Sequence, residues 1–135
     1  MTDDARVTRL IGMLDDLDAD VDETIDLADE IAASGDRELL PRLEAELDRS
    51  VADRNSYGRE LLGGVIAALG GPDRLPLLVR ASAVDLGDDQ DGLAGEIVDL
   101  VQADPKGAER LLRPLTEDED LAVANRAEWA LRFVP

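Results

Sequence analysis

Ile31-Ala32-Ala33-Ser34-Gly35, followed by Leu40-Pro41-Arg42-Leu43, returns 35 residues later as Ile66-Ala67-Ala68-Leu69-Gly70, followed by Leu75-Pro76-Leu77-Leu78. Seven of these positions are identical. Self-similarity at a fixed period marks stacked supersecondary units, each too small to bury its apolar face alone. A second pattern runs alongside, with apolar residues at i, i+4, i+7 and i+8, the stripe a helix needs to bury one face. Its rows are Val21, Ile25, Ala28 (Asp29 breaks the fourth place); Tyr57, Leu61, Gly64, Val65; Leu93, Ile97, Leu100, Val101; and Val123, Ala127, Ala130, Leu131. Their first members lie 36, 36 and 30 residues apart.

A shorter apolar pattern precedes each row and predicts first helices over about 5–14, 37–48, 73–83 and 107–115. Gly35-Asp36, Gly70-Gly71-Pro72 and Asp104-Pro105 supply stop and start chemistry between units. Strand signals are poor, because β-branched residues are scattered and no alternating run is bounded by hairpin turns. The expectation is an all-α chain of about eight short helices, forming one domain over 1–135 from helix-turn-helix units at about 1–35, 36–71, 72–105 and 106–135. Gly64, at a stripe place that Ala28 and Ala130 fill in other units, is read as a site of close helix packing.

The last unit runs Leu111-Leu112-Arg113-Pro114-Leu115, then Asp118-Glu119-Asp120, then Val123, Ala127, Ala130 and Leu131. This resembles the HEAT repeat, whose second half reads D-x-D-x-x-V-R-x-x-A-x-x-A-L, with Ala124 where the Arg stands. The first unit shares Asp16, Asp18, Val21 and Ala28; the middle units keep the apolar stripe and the Leu-Pro step. The period is shorter than the usual 40 to 47 or so. The resemblance implies an α-solenoid of about four compact HEAT-like hairpins that works by binding another protein.

Composition removes many chemistries. The 135 residues contain no His and no Cys, which excludes Ser-His-Asp and Cys-His catalysis and His or Cys zinc sites. There is no phosphate-binding GxxxxGK[ST] run and no Rossmann glycine pattern. No catalytic residue, cofactor or metal is expected. Asp16-x-Asp18-x-Asp20, continued by Asp22, has the oxygen-rich start of a calcium loop, but counting from Asp18 the glycine place is Glu23 and the closing Glu is Asp29. Counting from Asp16, the two places are Val21 and Leu27. This run, Asp88-Asp89-Gln90-Asp91 and Asp118-Glu119-Asp120 are read as capped, solvated turns. The acidic start, Met1-Thr2-Asp3-Asp4, and the lack of an apolar run approaching the ~18 residues of a membrane span suggest a cytoplasmic protein.

The formal net charge of -18 opposes nucleic-acid binding, which depends on Lys and Arg neutralising phosphates. The acidity is uneven: residues 1–50 hold 16 acids and 5 bases, and Asp15 to Glu30 holds nine carboxylates and no base. Acids are mostly Asp, and 13 of the 14 bases are Arg. That profile resembles proteins of salt-loving archaea or of organisms with GC-rich genomes, where acidity serves solubility. The competing reading is an acidic surface that steers and holds a basic protein. In a helical-hairpin solenoid the second helices line one broad face, and Asp22, Asp26, Arg59, Glu96, Asp99, Asn125, Glu128 and Arg132 are expected to point onto it. Trp129 and Phe133, an i,i+4 pair near the C-terminus, either fold back on the preceding unit or leave an apolar edge for self-association. The function expected is a non-enzymatic interaction module, an adaptor or an immunity-type inhibitor. The rivals are an accessory subunit of an enzyme system, such as a HEAT-like bilin lyase component, and a self-assembling structural solenoid.

Overall fold

A computed structural model describes residues 2–87 and 92–135. The Asp88-Asp89-Gln90-Asp91 turn singled out above lies outside the described residues. Among those described there is no strand. The α-helical segments are α1 (Asp3–Leu14), α2 (Val21–Ala33), α3 (Leu40–Ala52), α4 (Ser56–Gly70), α5 (Leu75–Ala83), α6 (Ala94–Ala103), α7 (Pro105–Leu112) and α8 (Leu121–Leu131), with 3-10 turns at Arg37–Leu39, Gly71–Arg74 and Pro114–Glu117.

One boundary differs from expectation. Helical turns follow one another without a loop from Ser56 to Ala83, α4 passing to α5 through the 3-10 turn Gly71–Arg74. Counted as continuous rods, the described residues form seven helices rather than eight separate ones. Gly71, at φ +72°, takes the bend, and Pro72 and Pro76 stand at the first positions of their turns, where a missing N–H costs nothing. The coil therefore tightens to 3-10 geometry and resumes. By length and composition this run is also apolar enough to cross a membrane, which the sequence reading did not anticipate, but half of its apolar window is buried in the fold.

Elsewhere the Asp-rich and Asp-Pro start signals act as read at Asp20, Asp104 and Asp120, and Thr2 and Asn55, which the sequence reading did not name, act likewise. Thr2, Asp20, Asn55, Asp104 and Asp120 each accept a backbone N–H with the side chain at a helix N-terminus, from Ala5, Glu23, Gly58, Gly107 and Ala122 respectively. Gly35, at φ +67°, follows α2. α1 packs on α2 and α3 on α4, while α5 packs on α6 and more extensively on α8, which also meets α7; α2 touches α4, α4 touches α6, and α6 touches α8. One continuous apolar cluster runs from Val7 and Leu10 to Ala127 and Ala130.

The stripes of α6 and α8 lie as expected, with Leu93, Ile97, Leu100, Val101, Val123, Ala127 and Ala130 buried. Those of α2 and α4 are rotated. Their buried faces carry Thr24, Leu27, Ala28 and Ile31, and Leu62, Val65, Ile66 and Leu69, while Val21, Ile25 and Tyr57 are exposed. The glycine that permits close packing is accordingly Gly63. A Cβ there would run into the side chain of Leu93, whereas one on Gly64 would lie 3.7 Å from Glu96 Oε1.

Candidate functional site

The α2 surface follows from its inward face. Asp20 accepts the Glu23 N–H at 3.0 Å and the Thr24 hydroxyl donates to the Asp20 carbonyl at 2.7 Å, which sets the first turn. With Thr24, Leu27, Ala28 and Ile31 turned inward, Asp22, Glu23, Asp26, Asp29 and Glu30 are left in solvent. Glu30 lies 3.4 Å from Arg6 Nε. Arg9 shares a shallow depression of about 240 Å³ with Glu23, Asp26 and Glu30. Among the described residues no cation comes within ion-pair distance of Asp22, Asp26 or Asp29.

Glu96, half-buried on α6, joins Asp29 and Glu60 around a groove of about 310 Å³ between α2, α4 and α6, floored by Ala28 and Gly64. This brings one member of the expected set, Glu96, beside the α2 surface. Asp99 on α6 and Asn125, Glu128 and Arg132 at α8 are exposed as expected, but no described groove gathers them with Asp22 and Asp26.

Arg59 is a correction. Its side chain is 2% exposed, so it does not point onto the outer surface. The rotation of α4 that exposes Tyr57 turns Arg59 inward, where Nη1 donates to the Val84 carbonyl at 2.8 Å and Nε lies 3.5 Å from Glu60 Oε1. Glu60 Oε2 in turn accepts the Leu93 N–H at 3.0 Å. Arg126 grips the same region from α8: Nε donates to Ser82 Oγ at 3.1 Å, Nη2 donates to the Gly92 carbonyl at 2.8 Å, and the guanidinium lies 3.9 Å from the centre of the Trp129 ring. An open cavity of about 440 Å³ borders Arg59, Arg126, Asn125 and Trp129. Its charged groups are spent on backbone carbonyls and neighbouring side chains, as a lock between α4, α5 and α8 requires.

Trp129 and Phe133 meet edge-to-face, with ring centres 5.2 Å apart, and both are partly buried against the core. Among the described residues, Arg49 and Asp118 have shifted proton affinity. Hydrogen bonds to Asp15 and Glu46 raise that of the Arg49 guanidinium. The Asp120 N–H, then Arg80, hold the Asp118 carboxyl below its ordinary range. Among the described residues, no three carboxylates converge as a metal site would need.

The sequence reading missed a second feature of this pole. Leu17 is fully exposed, Val21 is 56% exposed and Tyr57 is 40% exposed, and all three border one groove at the α1–α2 turn. The available signal was the apolar residue inside Asp15-Asp16-Leu17-Asp18, a place where solvation alone calls for none. No protein-family model, curated protein or solved structure matches this chain.

Proposed function

We propose that the chain is a non-enzymatic protein-interaction module, a short solenoid of HEAT-like hairpins, and that it binds a basic partner protein through the outward surface of its second helices. The observation that carries this reading is the α2 surface. Asp22, Asp26 and Asp29 stand exposed along α2, Asp29 in the groove that Glu96 borders, with no cation among the described residues at ion-pair distance, while Arg6 is held by Asp3 and Glu30 and most other arginines are committed elsewhere in the fold. Such a surface raises encounter rates with basic partners and repels acidic ones. The succession of contacts α2 to α4 to α6 to α8 supports a solenoid, as does the Asp118-x-Asp120 start of the last unit. The core role of Ser56–Ala83 supports a cytoplasmic site of action over membrane insertion. The partial burial of Trp129 and Phe133 against the core supports an internal role for the C-terminal pair rather than a self-assembly edge.

The test is affinity capture of the tagged chain from lysate of its own organism at that organism's internal ionic strength. One basic protein, recovered in equal amount and lost with Asp22→Lys/Asp26→Lys, is the expected result. A partner retained in full by the charge-reversed variant would place binding on another surface.

A further inference from the structure

The α1–α2 turn and the start of α4 enclose a groove of about 290 Å³, walled by Met13, Leu14, Leu17, Val21 and Tyr57. Two of its polar side chains, Asn55 and Thr24, are engaged from within. Asn55 accepts the Gly58 N–H at 2.9 Å and donates to the Leu14 carbonyl at 3.5 Å, and the Thr24 hydroxyl is held by the Asp20 carbonyl. What remains open is hydrocarbon. Single exposed apolar residues are ordinary, but exposed apolar side chains converging on one groove mark an interaction site. Asp16 borders the groove, and Asp18, Asp20 and Asp22 alternate along the chain with its lining residues Leu17, Ala19 and Val21; all four aspartates are exposed.

We infer that this groove docks a basic segment of a partner protein that inserts one apolar side chain between Leu17, Val21 and Tyr57, with Lys or Arg on either side of it meeting the aspartate rim. The inference rests on the interaction-module reading and adds where the partner is anchored and by what chemistry. Charge selects the occupant. A second copy of this chain would bring its own net charge of -18 to an acidic rim, and an anionic lipid surface would be repelled in the same way. A cationic segment is attracted, and burial of its apolar residue supplies the specificity that charge alone lacks.

The test uses the full chain and two ten-residue synthetic peptides, both rich in Arg and Lys, one with a central Phe and one with Ser in its place. Calorimetric titration at physiological salt is expected to show the Phe peptide binding about tenfold or more tightly. Leu17→Ser/Val21→Ser, which alters only exposed side chains, is expected to erase that ratio. Asp22→Lys/Asp26→Lys is expected to weaken both peptides. Methyl NMR of the Phe complex is expected to show its largest shifts at Leu14, Leu17 and Val21. Equal affinity for the two peptides, or a ratio that survives Leu17→Ser/Val21→Ser, overturns the groove inference while leaving the acidic-surface reading in place. No binding of either peptide overturns both. A concentration-dependent dimer, or partition onto anionic vesicles, that Leu17→Ser abolishes assigns the groove to another occupant and overturns the inference as well.

Discussion

Gly63 and Gly64 are neighbours with opposite expectations. A methyl group on Gly63 meets Leu93, which is wholly buried and held at φ +60° with its N–H on Glu60, so it has no room to yield. Gly63→Ala is expected to cost about 1–3 kcal/mol through overpacking, while Gly64→Ala is expected to stabilise by up to about 1 kcal/mol through helix propensity. Thermal unfolding of the two variants checks the pair, and equal effects would refute the packing argument. Arg59→Met fills the same space but leaves Glu60 without its cation and the Val84 carbonyl without its donor. A loss of about 3 kcal/mol is expected, measured by denaturant unfolding. Asp118 adds a pH dependence. Its folded proton affinity is lowered, so its stabilising contribution is full above the ordinary carboxylate range and fades as pH falls through the folded value. Asp118→Asn is expected to melt lower than the parent at pH 7, with the gap closing as pH falls below the ordinary carboxylate range.

α2 is the element whose electrostatics oppose its own geometry. Asp22 and Glu23 lie in its first turn, where the helix dipole favours them, but no base stands in the last turn, and Asp29 and Glu30 face the wrong end of the dipole. Asp22/Asp26 and Asp26/Glu30 add like-charge i,i+4 pairs, each costing about 0.2–0.5 kcal/mol. Asp18 precedes the helix, so Asp18 and Asp22 do not make a third such pair. Asp29→Arg is therefore expected to raise stability by about 0.5–1 kcal/mol at low salt, and the gain is expected to shrink in molar salt, where screening is short-ranged. Melting curves at the two ionic strengths decide it. The helices themselves were legible in the chain because caps and breakers are local: Asp20, Asn55, Asp104 and Asp120 cap with their own side chains whatever lies around them. The facing of α2 and α4 was not legible, because each carries apolar residues on two stripes and only the neighbouring helices choose between them. In α2 the winning stripe contains Thr24, whose hydroxyl is satisfied by its own helix and so behaves as an apolar group toward the core. The facing of α4 buries Arg59 and exposes Tyr57, and that of α2 exposes Val21, so the misplaced site residue and the missed groove share one cause.

At the scale of the molecule, the preference for arginine has a structural use. Arg42 reaches Asp4 and Thr8, Arg49 reaches Asp15, Arg74 reaches Glu44, Arg80 reaches Asp118, and Arg126 reaches Ser82 and Gly92. Each contact joins one expected unit to the next, and several use two nitrogens of one guanidinium on separate acceptors, a geometry lysine lacks. The surface pairs are individually weak, so their loss is expected to act locally. Arg42→Ala/Arg49→Ala is expected to speed amide hydrogen exchange in α1 while leaving α6 to α8 unchanged. Uniform acceleration along the chain would show one cooperative unit instead. The Arg126 contact has a practical consequence. It presses a guanidinium on the face of Trp129, the sole tryptophan, while the same side chain holds the end of the segment that follows α5. The indole's emission thus becomes a built-in optical gauge of the seam between the last two units. It will brighten or shift when that seam opens, and it will stay silent to events at the distant acidic pole.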